Sequence, residues 1–175
     1  MRVAARLADV LGDRTFVIGG YAVAAWGFER ATGDVDLAVG LSAAEAERRL
    51  KSVGLEVRKT RGDVREGDIP WVLSGQMDGV PFQVMPPVVP IDWSRGREIQ
   101  AEGARFKVVG LGDLLRLKLK AAGPKDLMDV TELLEAHPEL ARDTRATAEA
   151  YGVGDALARW TAHRRPRPGA AKRKK

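Results

Sequence analysis

The chain has 175 residues, of which 45% are hydrophobic, and this is enough for one globular core. It has no cysteine, which excludes disulfide bonds, thiolate metal sites and a cysteine nucleophile, and its two histidines argue against imidazole chemistry. The net charge is +5, and no run of about 18 apolar residues or signal-peptide core is present, so we expect a cytoplasmic protein without membrane contact.

The first third of the chain alternates predicted helices and strands. A glycine pair, Gly19-Gly20, stands where a strand ends and a helix begins, and Ser42 with Glu45 forms a capping box that starts a further helix. The predicted elements in this part are a helix over 2–12, a strand over 15–18, a helix over 21–26, a strand over 34–39 and a helix over 43–52.

The pattern then turns to strands and ends in helices. An Asp78-Gly79 step favours a tight hairpin between two of the strands. Strands are predicted over 54–59, 70–74, 80–85 and 105–109, and helices over 111–121, 125–136, 138–150 and 154–162. We therefore expect an α/β (α+β) fold, a small mixed sheet flanked by helices and followed by a C-terminal helical bundle. The predicted division is an α/β core over 1–110, a helical part over 111–162 and a tail over 163–175.

The tail carries the positive charge of the chain. Residues 163–175 contain seven Lys or Arg and no acid, so residues 1–162 are mildly acidic. A segment this rich in charge, Pro and Gly buries too little apolar surface to offset its ordering entropy, and we expect it to be disordered. It is interpreted either as a solubilising terminus or as an arm that binds nucleic-acid phosphates.

Two carboxylates in the predicted strand 34–39 are the first candidates for chemistry. Asp34 and Asp36 are two residues apart, so on a strand they point to the same face, while Val35 and Leu37 point to the other. Two such carboxylates repel each other, and a hard divalent cation such as Mg²⁺ (or Mn²⁺) relieves the repulsion. An isolated Asp-x-Asp pair is more often a solvated strand edge or turn than a metal site.

The glycine pair strengthens this interpretation. Free backbone N–H groups at the start of a helix attract phosphate, and glycine allows a close approach of the backbone. Gly19 and Gly20 would thus face a metal held by the two carboxylates, although a glycine pair is also compatible with a plain tight turn. Arg30 and Thr32 lie in the intervening segment and fit either a phosphate contact with a turn-orienting hydroxyl or ordinary surface positions.

Taken together, Gly19-Gly20-Tyr-Ala-Val and the run Gly27-Phe-Glu-Arg-Ala-Thr-Gly-Asp-Val-Asp-Leu resemble the polymerase-β-type nucleotidyltransferase superfamily. Within it the chain is most similar to small bacterial proteins related to AbiEii toxins, over roughly residues 15–136. The resemblance implies the nucleotidyltransferase fold, a nucleoside triphosphate substrate bound near Gly19 and Gly20, and metal ions on Asp34 and Asp36. It also implies an RNA end such as that of tRNA, a protein or a small molecule as acceptor, and an antitoxin protein as partner.

The resemblance extends to the first two predicted helices of the C-terminal part. Lys118 and the segment Lys125-Asp126-Leu-Met-Asp129 match the family's helical motif near the nucleotide. From the residues alone, Lys118 is flanked by leucines, so its stem can be buried while its ammonium reaches the phosphates. Lys125, Asp126 and Asp129 are explained equally well as solvated residues, the acids stabilising the start of a helix.

One position departs from the family pattern. Family members place a third carboxylate on a later strand, which aligns with Gln83, and an amide is a weak metal ligand with no basicity near neutral pH. Asp78 or Asp92 could substitute only if the backbone brings one of them close. Three hypotheses therefore stay open: an active nucleotidyltransferase, a degenerate non-catalytic module that binds nucleotide or a partner, and a nucleic-acid-binding protein that uses its basic tail.

Overall fold

The structure, a computed structural model, describes residues 1–62, 69–101 and 103–162. The tail over 163–175, for which disorder is predicted, lies outside the described residues. Within them seven strands form one mixed sheet in the order β3-β4-β5-β2-β1-β7-β6. The strands are β1 Thr15–Val17, β2 Val35–Val39, β3 Val57–Thr60, β4 Val72–Met77, β5 Val80–Met85, β6 Arg97–Ala101 and β7 Ala104–Val108.

Helices precede, interrupt and follow the strands. A 3₁₀ turn, Pro138–Leu140, separates the helices α5 and α6. The α-helices of the described residues are α1 Arg2–Leu11, α2 Gly19–Ala25, α3 Ala43–Ser52, α4 Leu111–Ala121, α5 Pro124–Ala136, α6 Ala141–Ala150 and α7 Gly154–Ala162.

The centre of the sheet fixes the register of the strands that matter for function. β2 pairs antiparallel with β1 and parallel with β5, and Asp36 of β2 is directly opposite Gln83 of β5. On its other side, β1 pairs parallel with β7. The backbone N–H of Ile18 donates to the carbonyl of Asp36 at 2.9 Å, which holds the start of α2 against β2.

The apolar residues of these elements form one hydrophobic cluster that runs from α1 to α7. The inner strands alternate as expected, because Val35 and Leu37 of β2 are buried whereas Asp36 between them is only partly buried. The α1 and α3 helices pack against the sheet and each other, and α2 packs against β2, β7 and α4. This last contact brings the glycine pair of α2 next to the lysine-bearing α4.

The expected α/β class with helices at the C-terminal end is confirmed, and several boundaries are corrected. The sheet is larger than expected because β6 was not predicted: its Glu98 and Gln100 are exposed, and only half-buried Ile99 gives an apolar signal. Asp34 lies one residue before β2 and not within it. The helix predicted over 138–150 begins at Ala141, since Pro138 starts a 3₁₀ turn.

Side-chain and backbone geometry confirms the predicted hairpin and half of the predicted capping box. Ser42 caps α3, where its hydroxyl accepts a hydrogen bond from the backbone N–H of Glu45 at 3.2 Å, but the Glu45 carboxylate pairs with Arg48 and Arg49 instead of completing the box. Asp78 and Gly79 both have positive φ, at 52° and 78°, as a tight hairpin between β4 and β5 requires. In the described ranges, none of the helices has the length and apolarity needed to cross a bilayer.

Candidate functional site

The first feature of the site is the close fit between Gly19 and the carboxylate of Asp36. Gly19 has φ +63°, and a Cβ built on it would lie 2.1 Å from Oδ2 and 2.9 Å from Cγ of Asp36. Any other residue at position 19 would be strained and would displace this carboxylate. The glycine therefore serves first to make room for Asp36, a role that the sequence did not indicate.

Gly20 does the same for the segment that precedes β2. A Cβ on Gly20 would lie 2.5 Å from Oγ1 of Thr32 and 3.3 Å from Nη1 of Arg30. The hydroxyl of Thr32 in turn donates to Oδ1 of Asp34 at 3.2 Å. The glycine pair thus packs against both members of the Asp34–Asp36 pair, directly for Asp36 and through Thr32 for Asp34.

A buried carboxylate on α5, that of Asp129, holds two cations at this place. Arg30 makes a bidentate ion pair with it, from Nε to Oδ1 at 2.7 Å and from Nη2 to Oδ2 at 2.9 Å. The ammonium of Lys118 on α4 is 2.9 Å from the same Oδ2 and donates to Oδ1 of Asp126 at 2.7 Å. The side chain of Asp129 is 0% exposed, and those of Arg30 and Lys118 are each 11% exposed.

The electrostatics of Asp36 show that these groups belong to one site. Burial raises the pKa of the Asp36 carboxyl above its ordinary value, and the neighbouring carboxylate of Asp34 raises it further. Lys118, Lys125 and Arg30 act in the opposite direction and lower the pKa, but they do not cancel the effects of burial and Asp34. Each of these three cations is therefore close enough to Asp36 to interact with it.

The three cations differ in how far they are already neutralised. Lys118 and Arg30 are paired with Asp126 and Asp129, whereas the exposed Lys125 makes no ion pair with a described residue. In the sequence Lys118 is the stronger candidate for a phosphate contact. Of these three cations, Lys125 is the one without an ion-pair partner among the described residues, and its ammonium is therefore available to an incoming anion.

The Asp34–Asp36 pair has the chemistry of a divalent-cation site whose remaining ligands come from water and substrate phosphates. Within the described part of the chain, no group of three or more Asp, Glu, His or Cys side chains converges as a ready-made metal site. Mg²⁺ commonly binds to one or two carboxylates and takes its other ligands from water and substrate phosphates. Two partly buried, mutually repelling carboxylates fit this mode, and a divalent cation between them would relieve the repulsion.

At the position of the third carboxylate of the resembled family, the structure has an amide. Gln83 lies directly opposite Asp36 in the β2–β5 register, at the position that the sequence alignment indicated, and is exposed. Neither acidic substitute considered from the sequence reaches it. Asp78 pairs with Arg6 at the β4–β5 hairpin, and Asp92 accepts hydrogen bonds from Ser94 and pairs with Arg95.

The structure thus gathers all nine residues singled out in the sequence around one place on β2, α2, α4 and α5: Gly19, Gly20, Arg30, Thr32, Asp34, Asp36, Lys118, Lys125 and Asp126. The residue that sequence reasoning underrated is Asp129. Its signal was an acid flanked by Leu127, Val130 and Leu133 on the buried face of a helix, where a charge requires a partner. A groove of about 600 Å³ between α5, α6 and α7 contains none of the nine residues.

Comparison with solved structures finds similarity to three proteins at low sequence identity. The antigenic nucleotidyltransferase-like protein of Paracoccidioides brasiliensis is 18% identical with a TM-score of 0.55, covering 91% of this chain and 90% of its own. Provisionally assigned nucleotidyltransferases from H. pylori and Thermotoga maritima are 14% and 18% identical, with TM-scores of 0.49 and 0.48. They cover 91% and 93% of this chain, and 80% and 92% of their own lengths.

The first of these similarities shows that the chain has the nucleotidyltransferase fold, as the sequence motifs predicted. No protein-family model matches the sequence, and no curated protein matches it with significance. The fold is therefore established by structure, and the activity has to be argued from the site itself.

Proposed function

We propose that this protein is a metal-dependent nucleotidyltransferase that moves a nucleoside monophosphate from a nucleoside triphosphate to a hydroxyl acceptor. The observation that carries the proposal is the convergence of Asp34 and Asp36 with Gly19 and Gly20, whose missing side chains make room for the acidic pair and its support. The proposal is supported by the fold, which is similar to that of a nucleotidyltransferase-like protein. Fold alone does not determine the reaction.

In the proposed reaction, the oxygen of the acceptor hydroxyl forms a bond to the α-phosphorus, the bond between that phosphorus and the α–β bridging oxygen breaks, and pyrophosphate leaves. The proton of the hydroxyl passes to solvent. Asp34 and Asp36 would hold Mg²⁺ or Mn²⁺, which when bound supplies positive charge for the triphosphate oxygens. Lys125 contributes its exposed ammonium to the same phosphates, and the backbone at Gly19 and Gly20 lies beside them. Arg30 and Lys118 both pair with Asp129, which fixes them beside the acidic pair. There they add positive potential, and neither gives a proton to the substrate.

The proposal is tested by incubating the protein with labelled nucleoside triphosphates, Mg²⁺ and either tRNA or a cell lysate. Label should be transferred to a macromolecule or a small acceptor, and transfer should disappear in Asp36→Ala and on chelation of the metal. Asp9→Ala, a change at an exposed residue of α1, is the matched control and should retain full transfer. Transfer that survives undiminished in purified Asp36→Ala would contradict the proposal.

A second candidate function follows from Gln83, which stands beside Asp36 where the third carboxylate is expected. In this alternative the protein binds nucleotide with its metal but does not turn it over, because no side chain at that position ligates a metal firmly or accepts the hydroxyl proton. Binding without transfer in the native chain, together with transfer in Gln83→Asp, would establish this function. Transfer by the native chain would exclude it.

The finer assignments are part of the proposal. The AbiEii-like subfamily, an RNA such as tRNA as acceptor and an antitoxin partner depend on the sequence motifs, and a cytoplasmic location depends on the hydropathy of the sequence. Binding of nucleic acid by residues 163–175 is a separate hypothesis, which predicts that RNA affinity falls steeply with added salt and is lost on removal of 164–175. Neither result would bear on the site around Asp36.

A further inference from the structure

The face of the sheet that carries Asp36 continues over β5 and β4 with uncharged side chains. In the strand register, Asp36 of β2 is opposite Gln83 of β5, and Gln83 is in turn opposite Ser74 of β4. Neighbouring strands are about 4.7 to 4.9 Å apart, and residues opposite each other point to the same face. The exposed amide of Gln83 is therefore the side chain that flanks Asp36 on the β5 side of the site.

On its other side the acidic pair meets α4 and α5, whose carboxylates are already engaged. Asp129 pairs with Arg30 and Lys118, and Asp126 pairs with Lys118, at 2.7 to 2.9 Å. A carboxylate held in such pairs has to give them up before it can bind a metal, and for the buried Asp129 this would leave its cations unpaired. Among the described residues around the site, the carboxylates left to a divalent cation are thus those of the acidic pair.

Two carboxylates provide for one divalent cation but not for two. One Mg²⁺ commonly takes one or two carboxylates and completes its shell with water and substrate phosphates. In two-metal sites the ions are only about 3.5 to 4 Å apart, so they repel each other strongly and need further negative protein ligands. At the flank of Asp36 a second cation would meet the neutral carbonyl oxygen of Gln83 instead of a carboxylate.

We propose that the site binds a single divalent cation with its nucleoside triphosphate, and that the amide at position 83 limits it to one. This inference rests on the proposed function and adds to it the number of cations. Glutamine and glutamate have side chains of the same length and nearly the same shape. The limit is therefore set by the missing charge of Gln83 and not by a lack of space.

The test counts the Mn²⁺ ions that the full chain retains together with a nucleotide. The nucleotides are the α,β-methylene analogues of the four nucleoside triphosphates, which cannot be cleaved at the bond that transfer breaks. Protein and analogue are mixed at equal concentration in Mn²⁺, and ultrafiltration separates the retained metal from the free metal. We expect one retained Mn²⁺ for each retained analogue, with the electron paramagnetic resonance spectrum of an isolated ion.

Gln83→Glu provides a carboxylate without a change in side-chain length, and Gln83→Asp provides one on a shorter side chain. At least one of them should retain two Mn²⁺ ions for each analogue, and the two ions should give the spectrum of a coupled pair. Since Gln83 is exposed, neither change should unfold the chain, and circular dichroism checks this. Gln76→Asp is the matched control, because it adds the same charge on the same face but two strands away from Asp36, and it should leave the count at one.

Two retained ions in the native chain would overturn the inference, and so would a single ion in both Gln83 variants. Either result leaves the proposed function intact, because nucleotide and metal are still held together. If the native chain retains no analogue in Mn²⁺ above the level of Asp36→Ala, the proposed function itself fails. The ions are counted without any transfer, so the result does not depend on whether the chain turns its nucleotide over.

Discussion

Replacement of Asp129 by asparagine measures how much the buried carboxylate of the charged cluster stabilises the fold. The carboxylate makes two contacts with Arg30 and one with Lys118, at 2.7 to 2.9 Å, and is 0% exposed. An amide of the same shape has one acceptor oxygen, so its NH₂ group would face a donor of Arg30 or Lys118. Both cations would lose their shared negative charge, and only Lys118 would keep a carboxylate, that of Asp126.

Removal of one partner from a buried ion pair costs about 3 to 5 kcal/mol. The lower end applies here, because asparagine still accepts one hydrogen bond and Lys118 keeps its contact with Asp126. At about 2 to 4 °C per kcal/mol for a chain of this size, the expected loss in Tm is about 6 to 12 °C. Differential scanning calorimetry at neutral pH, without metal or nucleotide, measures it directly.

Asp9→Asn, the same substitution on an exposed residue of α1, is the control and should shift Tm by less than about 2 °C. A shift this small in Asp129→Asn would refute the argument, since it would mean that water replaces the carboxylate at little cost. A large shift together with weaker Mg²⁺-nucleotide binding in the surviving folded protein would show that the cluster also positions the site.

Two further predictions concern the acidic pair itself. Gly19→Ala should abolish Mg²⁺-dependent binding of triphosphate by calorimetry, because its Cβ would displace the Asp36 carboxylate; Gly54→Ala, with a similar positive φ but open space around it, should lose only stability. Asp36→Asn should melt at a higher temperature than the native chain at pH 7 without metal and should lose the rise in Tm that Mg²⁺ with nucleotide produces. The sign follows from the raised pKa of Asp36, because a carboxyl with a raised pKa destabilises the fold when it is ionised at high pH. The difference in Tm between Asp36→Asn and the native chain should therefore shrink as the pH falls towards 3.8. A difference that grew on acidification would refute this reasoning.

Much of the fold could be predicted because its signals are local. The leucine pattern predicted α4 with its first and last residues as observed, and the Asp78-Gly79 step predicted the hairpin between β4 and β5. The edge strand β6 was missed because an edge strand needs little apolar surface, and its charged residues are those that keep such an edge from pairing with another chain. The start of α6 was misplaced because Pro138 favours a tight first turn in its own right.

The residues of the candidate site were predicted from the sequence, but the contacts between them were not. Asp34 and Asp36 stand out because the Asp-x-Asp spacing is a local pattern in the sequence, although Asp34 itself lies one residue before β2. The role of Asp129 depends on Arg30, which is 99 positions away in the chain, and no local pattern indicates that contact. The function of Gly19 was likewise only half predicted, since the sequence shows that the backbone can be approached closely but not that a carboxylate does so.

The contact between Arg30 and Asp129 also bears on the order of events during biosynthesis. Chains emerge from the ribosome N-terminal end first, so Asp34 and Asp36 are translated long before α4 and α5 provide Lys118 and Asp129. Until then the acidic pair lacks the Lys118 and Lys125 cations, and Arg30 lacks the carboxylate that orients it. A nascent chain therefore lacks the assembled candidate site, which should form only when α4 and α5 dock on the sheet.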